Sequence, residues 1–228
     1  MLEDEQNDYR DYIESWVHEI KAPITAIALN CENNRDERSR YLLVENRKVE
    51  NYVDMALYYA RMDAVYKDYM IAETNLQEVA QQVLLQNKYY LIQSHVKAEV
   101  ACPDTVYSDK KWIAFILNQL IQNSVKYGRS EGTHIQIVTK KTKSGVLLRV
   151  KDDGIGIPKE EIPRIFEKGF TGTNGRNRER STGMGLYLCR KLCDKLNIEI
   201  RAESAEGKGT EIILMFPVSD YLTGYRET

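Results

Sequence analysis

Between residues 13 and 31, apolar side chains recur at three- and four-residue steps: Ile13, Trp16, Val17, Ile20, Ile24, Ile27, Ala28 and Cys31. That spacing lines one face of an α-helix. The run Asn33, Asn34, Arg35, Asp36, Glu37, Arg38, Ser39 interrupts it with turn-prone and charged residues. The helical period resumes through Tyr41, Leu42, Val49, Tyr52, Val53, Ala56, Tyr59 and Ala60. Two helices joined by a short loop are expected to lie antiparallel. Such a pair cannot enclose a core alone, so a second copy is expected to complete a four-helix bundle about a two-fold axis.

Beyond a linker near 64–74 the pattern mixes periods. Residues 76–94 read as a helix and 96–101 alternate like a short strand. Residues 108–126 form a strongly periodic apolar helix, with Ser108 and Asp109 as capping residues. Residues 134–139 and 146–151 read as paired strands around Lys143, Ser144 and Gly145. A helix is expected over 183–196, then strands at 198–202 and 210–216 joined by a turn at Gly207 and Gly209. Residues 171–181 are polar and aperiodic, as in a mobile loop over an active site. The expected fold class is α+β: an antiparallel helical hairpin over 1–66, a linker at 67–73, a two-layer α/β sandwich over 74–220 and a tail at 221–228.

Composition narrows the function classes. A formal net charge of -2 lacks the basic excess of a dedicated nucleic-acid binder, so no nucleic-acid partner is expected. The longest apolar runs, 112–117 and 212–216, fall far short of the roughly 20 residues that span a bilayer. The start, Met1-Leu2-Glu3-Asp4-Glu5, does not resemble a signal peptide, and a soluble polypeptide is expected. Cys31, Cys102, Cys189 and Cys193 do not form a disulfide framework, and Cys189 and Cys193 have no second ligand pair at zinc spacing. They are expected to be buried thiols in a reducing compartment.

Five elements carry candidate chemistry. The first is His18-Glu19 with Pro23 a turn further on. A neutral imidazole has a nitrogen lone pair that can attack phosphorus, and Glu19 can take the proton from the other ring nitrogen. Pro23 cannot donate to the Glu19 carbonyl, so a bend is expected near His18. The second is the helical run 118–127, where Asn123 and Lys126 share a face with Gln119. The Asn123 amide oxygen suits Mg²⁺ and Lys126 supplies a point charge for phosphate. The third is Asp152-Asp153-Gly154-Ile155-Gly156-Ile157 after a strand. There glycines allow a flat ligand to approach and Asp152 can accept from the adenine amine. The others are Phe166 with Phe170, Gly183-Met184-Gly185-Leu186 opening a helix with Ser181 and Thr182 as caps, and Gly207-Lys208-Gly209-Thr210. Alone, each has a plain structural alternative: an exposed histidine, a polar helix face, a turn, core anchors at helical spacing. Their order and joint spacing describe an ATP pocket with a phosphoryl acceptor on the same chain.

From about residue 8 to residue 218 the chain resembles the catalytic core of a bacterial sensor histidine kinase. His18-Glu19-x-Lys21-x-Pro23 matches the phosphoacceptor box, and Asn123, Lys126 and Tyr127 match the asparagine box. Asp152, Gly154, Gly156, Gly183, Gly185, Gly207 and Gly209 match the glycine boxes, and Phe166 and Phe170 flank the lid. The wording of 15–21 and 166–172 also resembles the intramembrane-sensing subfamily associated with peptide-antibiotic transporters.

The resemblance implies a protein-histidine kinase of the gyrase, chaperone and histidine-kinase superfamily. His18 is the implied phosphoacceptor, Glu19 the general base and Asn123 the catalytic residue that holds Mg²⁺. ATP is implied to contact Asn123, Lys126, Tyr127, Asp152, Gly154, Gly156, Ile157, Phe166, Phe170, Gly183, Gly185, Leu186 and Thr210. The implied partners are a second copy through the N-terminal helices, a response-regulator receiver domain and, in a longer membrane-anchored protein, a peptide-antibiotic transporter. Three positions depart from the family pattern. Gln119 stands where many members have asparagine. Thr171 stands where many have arginine, with Arg176 or Arg178 as replacement. Ala22 stands where threonine or asparagine is linked to dephosphorylating the regulator. The alternatives are an ATPase of the wider superfamily that does not need His18, and a non-catalytic nucleotide sensor.

Overall fold

A computed structural model describes residues 2–34, 36–61, 70–173 and 182–218. The chain divides into two compact units, Met1–Tyr69 and Met70–Thr228. Among the described residues no helix is long and apolar enough to cross a membrane.

The first unit is a hairpin of α1 (Leu2–Asn34) and α2 (Glu37–Arg61). Its apolar stripes meet in a small cluster of buried Val17, Ile24, Val53 and Leu57, flanked by Ile13 and Ile20. Two cross-links fix the antiparallel register: Asn46 Nδ2 donates to the Ile24 carbonyl at 2.8 Å, and Lys21 pairs with Asp54 at 2.7 Å. The turn is tighter than the sequence suggests, because the charged run contributes its own cap. The Asp36 carboxylate accepts from Ser39 N at 2.6 Å, so residues 37–40 form the first turn of α2. That backbone hydrogen bond lowers the Asp36 pKa. Helix α1 is continuous through Pro23. Trp16, Ile27, Leu29, Tyr41, Leu42, Val49 and Tyr52 remain exposed on the hairpin.

The second unit is a sheet with helices on one face. A five-stranded sheet has the order β2-β4-β5-β7-β6. Its strands are β2 (Val96–Ala101), β4 (Thr133–Thr142), β5 (Gly145–Asp152), β6 (Glu199–Ala205) and β7 (Gly209–Pro217). Only β2 and β4 are parallel. Alternate residues of the central strands, Ile135, Ile137, Leu148 and Leu214, are fully buried. Helix α5 (Lys110–Lys126), with Ile113, Ile116, Leu117 and Leu120 buried, packs on β4 and β5, and α6 (Gly185–Lys195), with Leu188 and Leu192 buried, packs on β6 and α5. Asp109 caps α5 through Lys111 N at 2.8 Å and Trp112 N at 3.4 Å.

Three local features differ from the sequence reading. A separate antiparallel pair joins β1 (Ala72–Asn75) to β3 (Thr105–Ser108), four residues each. The helix expected over 76–94 is two helices, α3 (Leu76–Gln86) and α4 (Lys88–Gln93), broken at Asn87. Asn87 is buried, and its amide group donates to the Val83 carbonyl and to Asn118 Oδ1, both at 2.8 Å. The last helix begins at Gly185 with Met184 at its cap position and no side-chain cap, rather than with Thr182 as cap. Ser181 lies outside the described residues.

Candidate functional site

The ends of α5, β5 and β7 surround a cleft that encloses about 790 Å³ of empty space, its open mouth included. That is ample for a nucleotide. Leu120, Val150, Ile165, Leu186 and Ile212 make it largely apolar. Asn123, Ser124, Tyr127, Asp152, Glu161, Thr171 and Thr210 supply polar groups, and Gly156, Ile157, Phe170 and Gly172 complete the wall.

Asp152 is the best-held polar group there. It closes β5, and the ladder pairs it with Thr210. Its Oδ1 accepts from Gly154 N at 3.0 Å and Thr210 N at 3.1 Å. Its Oδ2 accepts from Ser124 Oγ at 2.9 Å. A carboxylate oxygen accepts about two hydrogen bonds, so Oδ1 is filled and Oδ2 retains one acceptor position toward the cleft. Burial raises the Asp152 pKa above its ordinary value, and the repulsion of Asp153 adds to this. The hydrogen bonds from Ser124, Gly154 and Thr210 oppose it.

The glycine loop is dictated by close approach. A Cβ on Gly154 would lie 2.6 Å from the Tyr127 carbonyl oxygen, where α5 ends, and Ile155 N donates to that oxygen at 3.0 Å. Gly156 has φ +70°, and a Cβ there would overlap the carbonyl oxygen of Ala205. The loop is thus pressed between the C-terminus of α5 and the β6–β7 turn.

The opposite wall is built from a short 3-10 turn, Ile162–Arg164. No helix links Phe166 to Phe170. Instead the Arg164 guanidinium lies 4.6 Å from the centre of the Phe170 ring. Glu161 Oε1 accepts from Thr173 N at 2.9 Å and Thr173 Oγ1 at 2.7 Å, which anchors the irregular segment that carries Phe170, Thr171 and Gly172.

Of the expected nucleotide contacts, Asn123, Tyr127, Asp152, Gly156, Ile157, Phe170, Leu186 and Thr210 meet at this cleft. Gly154, Gly183 and Gly185 do not line it: Gly154 packs against the Tyr127 carbonyl, Gly183 against the Gly169 backbone and Gly185 against the Gln119 side chain. Gly183 has φ +65° and Gly169 N donates to its carbonyl at 3.1 Å. Lys126 is half-buried in the last turn of α5 and Phe166 is half-buried; neither lines the cleft. Gln119 is buried, with its amide oxygen facing Gly185 at the start of α6 rather than the cleft. Arg176 and Arg178 lie outside the described residues. Ser124, Glu161 and Ser204 are additions that no sequence motif singled out. Their partners are 28, 12 and up to 47 residues away along the chain.

On the first unit, His18 and Glu19 are exposed side chains on α1. Ala22 is exposed one turn beyond. The Thr25 hydroxyl donates to the Lys21 carbonyl at 2.9 Å, within its own helix. Cys31, Cys102, Cys189 and Cys193 are all buried free thiols. Burial pushes Cys102 up to about 11 and Cys193 up to about 12, so both are poor nucleophiles and poor ligands.

Asn123 offers a neutral oxygen at the cleft wall. Among the described residues no group of three or more histidine, cysteine or acidic side chains is arranged to hold a metal. That donor set fits Mg²⁺, which is bound by one or two protein oxygens together with substrate phosphates and water.

Residues 108–220 match the family model described as histidine kinase-, DNA gyrase B- and HSP90-like ATPase. The chain is 33% identical over 207 residues to the sensor histidine kinase YxdK of Bacillus subtilis, covering 90% of this chain and 64% of that protein. It is 36% identical over 220 residues to the sensor protein kinase GraS of Staphylococcus aureus, covering 94% of this chain and 62% of that protein. It therefore spans a little under two-thirds of the length of these relatives. A solved structure of the histidine kinase ThkA in complex with the response regulator protein TrrA has the same fold. The TM-score is 0.57 at 23% identity, over 92% of this chain and 61% of that one. The nucleotide-sized cleft and its Asp152 cradle agree with these likenesses: residues 108–220 belong to the histidine kinase-, DNA gyrase B- and HSP90-like ATPase family, and along nine-tenths or more of its length the chain is similar to sensor histidine kinases.

Proposed function

We propose that this chain binds Mg-ATP in the Asp152 cleft, autophosphorylates on His18, and passes the phosphoryl group to an aspartate of a response-regulator receiver domain. The observation that carries the nucleotide reading is Asp152. Three donors fix its carboxylate, and one acceptor position is turned toward an apolar cleft, as an exocyclic adenine amine requires. Leu120, Ile165 and Ile212 supply the apolar surface for the base.

His18 attacks the γ-phosphorus. An N–P bond forms, the bond from that phosphorus to the β–γ bridging oxygen breaks, and ADP leaves with the electron pair. The proton on the other imidazole nitrogen passes to Glu19. Asn123 would hold Mg²⁺ through its amide oxygen, and such an ion would supply positive charge against the phosphates. Lys126 adds a positive charge at the end of α5. The first turn of α6, which has no side-chain cap, offers amides to phosphate. In this reading 1–66 is the dimerisation and phosphotransfer segment, 67–73 a linker, 74–220 the catalytic domain and 221–228 a tail.

The exposed apolar residues of α1 and α2 support a second copy as partner through the hairpin. The ThkA–TrrA complex supports a receiver domain as partner. Membrane anchoring of the whole protein and a peptide-antibiotic transporter as partner are extensions of the likeness to GraS and YxdK. The test is labelling with Mg-ATP. Label from the γ-phosphate, but not the α-phosphate, is expected on the chain, and it should move to an added cognate receiver domain. Label from both positions, or none, would contradict the proposal.

A further inference from the structure

The hydroxyl protons around Asp152 can be assigned from their partners. Ser124 is buried at the cleft wall, and its Oγ donates to Asp152 Oδ2 at 2.9 Å. A hydroxyl has one proton, so Ser124 offers only lone pairs to anything else. Ser204, on β6, accepts from Ile157 N at 2.9 Å and donates to the Gly209 carbonyl at 2.7 Å. Its proton is therefore used. Thr210 Oγ1 lies 3.0 Å from Ser204 Oγ and must be the donor in that pair. Thr210 lines the cleft, and it too has only lone pairs left for a ligand.

Three neighbouring side chains, Ser124, Asp152 and Thr210, thus face the cleft as hydrogen-bond acceptors. We propose that Ser124 and Ser204 determine base specificity: by committing the hydroxyl protons around Asp152 they leave a wall that accepts but does not donate, selecting a 6-amino purine nucleotide over a 6-oxo one. An amine brings hydrogens to this wall. A carbonyl at the same ring position brings lone pairs against lone pairs, and the buried acceptors go unsatisfied. Ser204 is a positioning residue, acting through Thr210. Ser124 orients the carboxylate of Asp152 directly. This inference rests on the reading of the cleft as a nucleotide site.

The test compares ATP with inosine triphosphate, which carries a 6-oxo group, by calorimetry on the unmodified chain and on Ser204→Ala and Ser124→Ala. The unmodified chain is expected to prefer ATP by about tenfold or more, the effect of one mismatched polar contact. Ser204→Ala frees the Thr210 proton to donate to a 6-oxo group, so the preference should shrink several-fold, chiefly through tighter inosine triphosphate binding. Ser124→Ala should shrink it as well, and Ser124→Thr, which keeps the hydroxyl, should restore it. A variant merely loosened in structure would weaken both nucleotides together. Equal affinity of the unmodified chain for the two nucleotides overturns the proposal, whatever the variants do. So does an unchanged ratio in both folded alanine variants. No ATP binding by the unmodified chain would instead overturn the nucleotide reading beneath it.

Discussion

Asp152→Asn separates recognition from folding. The side chain keeps its shape, and its amide oxygen can take the place of Oδ1, accepting from Gly154 N and Thr210 N. The amide nitrogen then replaces Oδ2. It faces Ser124 Oγ, whose hydroxyl can turn to accept, and it puts a donor where the adenine amine needs an acceptor. One hydrogen bond to the ligand is lost and two donors are opposed, a cost of about 1–3 kcal/mol, or roughly 5- to 150-fold in ATP affinity. Stability should change little, because the substitution removes a carboxylate whose ionised form burial disfavours. Two pH effects should vanish with it. The folded chain holds the Asp152 proton more tightly than the unfolded chain. This group's stabilising contribution is therefore complete below 3.8, the ordinary value, and lost as pH rises through the folded-state pKa. Nucleotide binding runs the other way. A ligand donor favours the carboxylate, so affinity falls as pH drops through that same pKa and binding releases protons. Calorimetry in buffers of different ionisation enthalpy measures the release, and thermal melting measures stability. Unchanged ATP affinity in a folded Asp152→Asn chain would refute the adenine contact.

Gly156→Ala should lower thermal stability and nucleotide affinity together. The left-handed backbone alone costs about 1–2 kcal/mol, and the new Cβ meets the Ala205 carbonyl; an unchanged melting temperature would show that the loop gives way freely. A chain starting at Met70 should be monomeric by light scattering and still bind ATP, since its sheet and helices have their own core, whereas the whole chain should be dimeric; a dimeric fragment would refute pairing through α1 and α2. Ala22→Thr should accelerate phosphate loss from a phosphorylated receiver domain with little effect on autophosphorylation. A methyl group cannot orient water, and the Thr25 proton is held by the Lys21 carbonyl; rapid loss with the native chain, unaltered by the substitution, would contradict this.

Periodicity located α1, α2, α5 and the five strands of the main sheet, because each buries one regular face. It missed β1 and β3, whose four residues are too few to show a period. It ran α3 and α4 together, because the apolar spacing continues across Asn87. The break depends on the Asn118 and Gln122 amides of another helix. At the site, the motif residues Asn123, Asp152, Gly156 and Thr210 were legible because each belongs to a short motif of its own, at 118–127, 152–157 and 207–210. Ser124, Glu161 and Ser204 were not. A serine or glutamate in sequence carries no sign of which distant group it will meet, and these three act through partners that only the folded chain brings near. Phe166 and Phe170 have helical spacing without a helix. The Arg164–Phe170 stack and the Glu161–Thr173 bonds organise that segment instead.

If one chain carries both a nucleotide cleft and its phosphoryl acceptor, Mg-ATP must leave phosphate on His18 and nowhere else. The most direct measurement is the position and chemistry of the phosphate after incubation with Mg-ATP, read by tandem mass spectrometry and by acid and base stability. One phosphate per chain is expected on His18, labile to acid and stable to base, and absent from His18→Ala although that variant binds ATP as tightly as the native chain. Phosphate on any other residue, or undiminished labelling of His18→Ala, would contradict it.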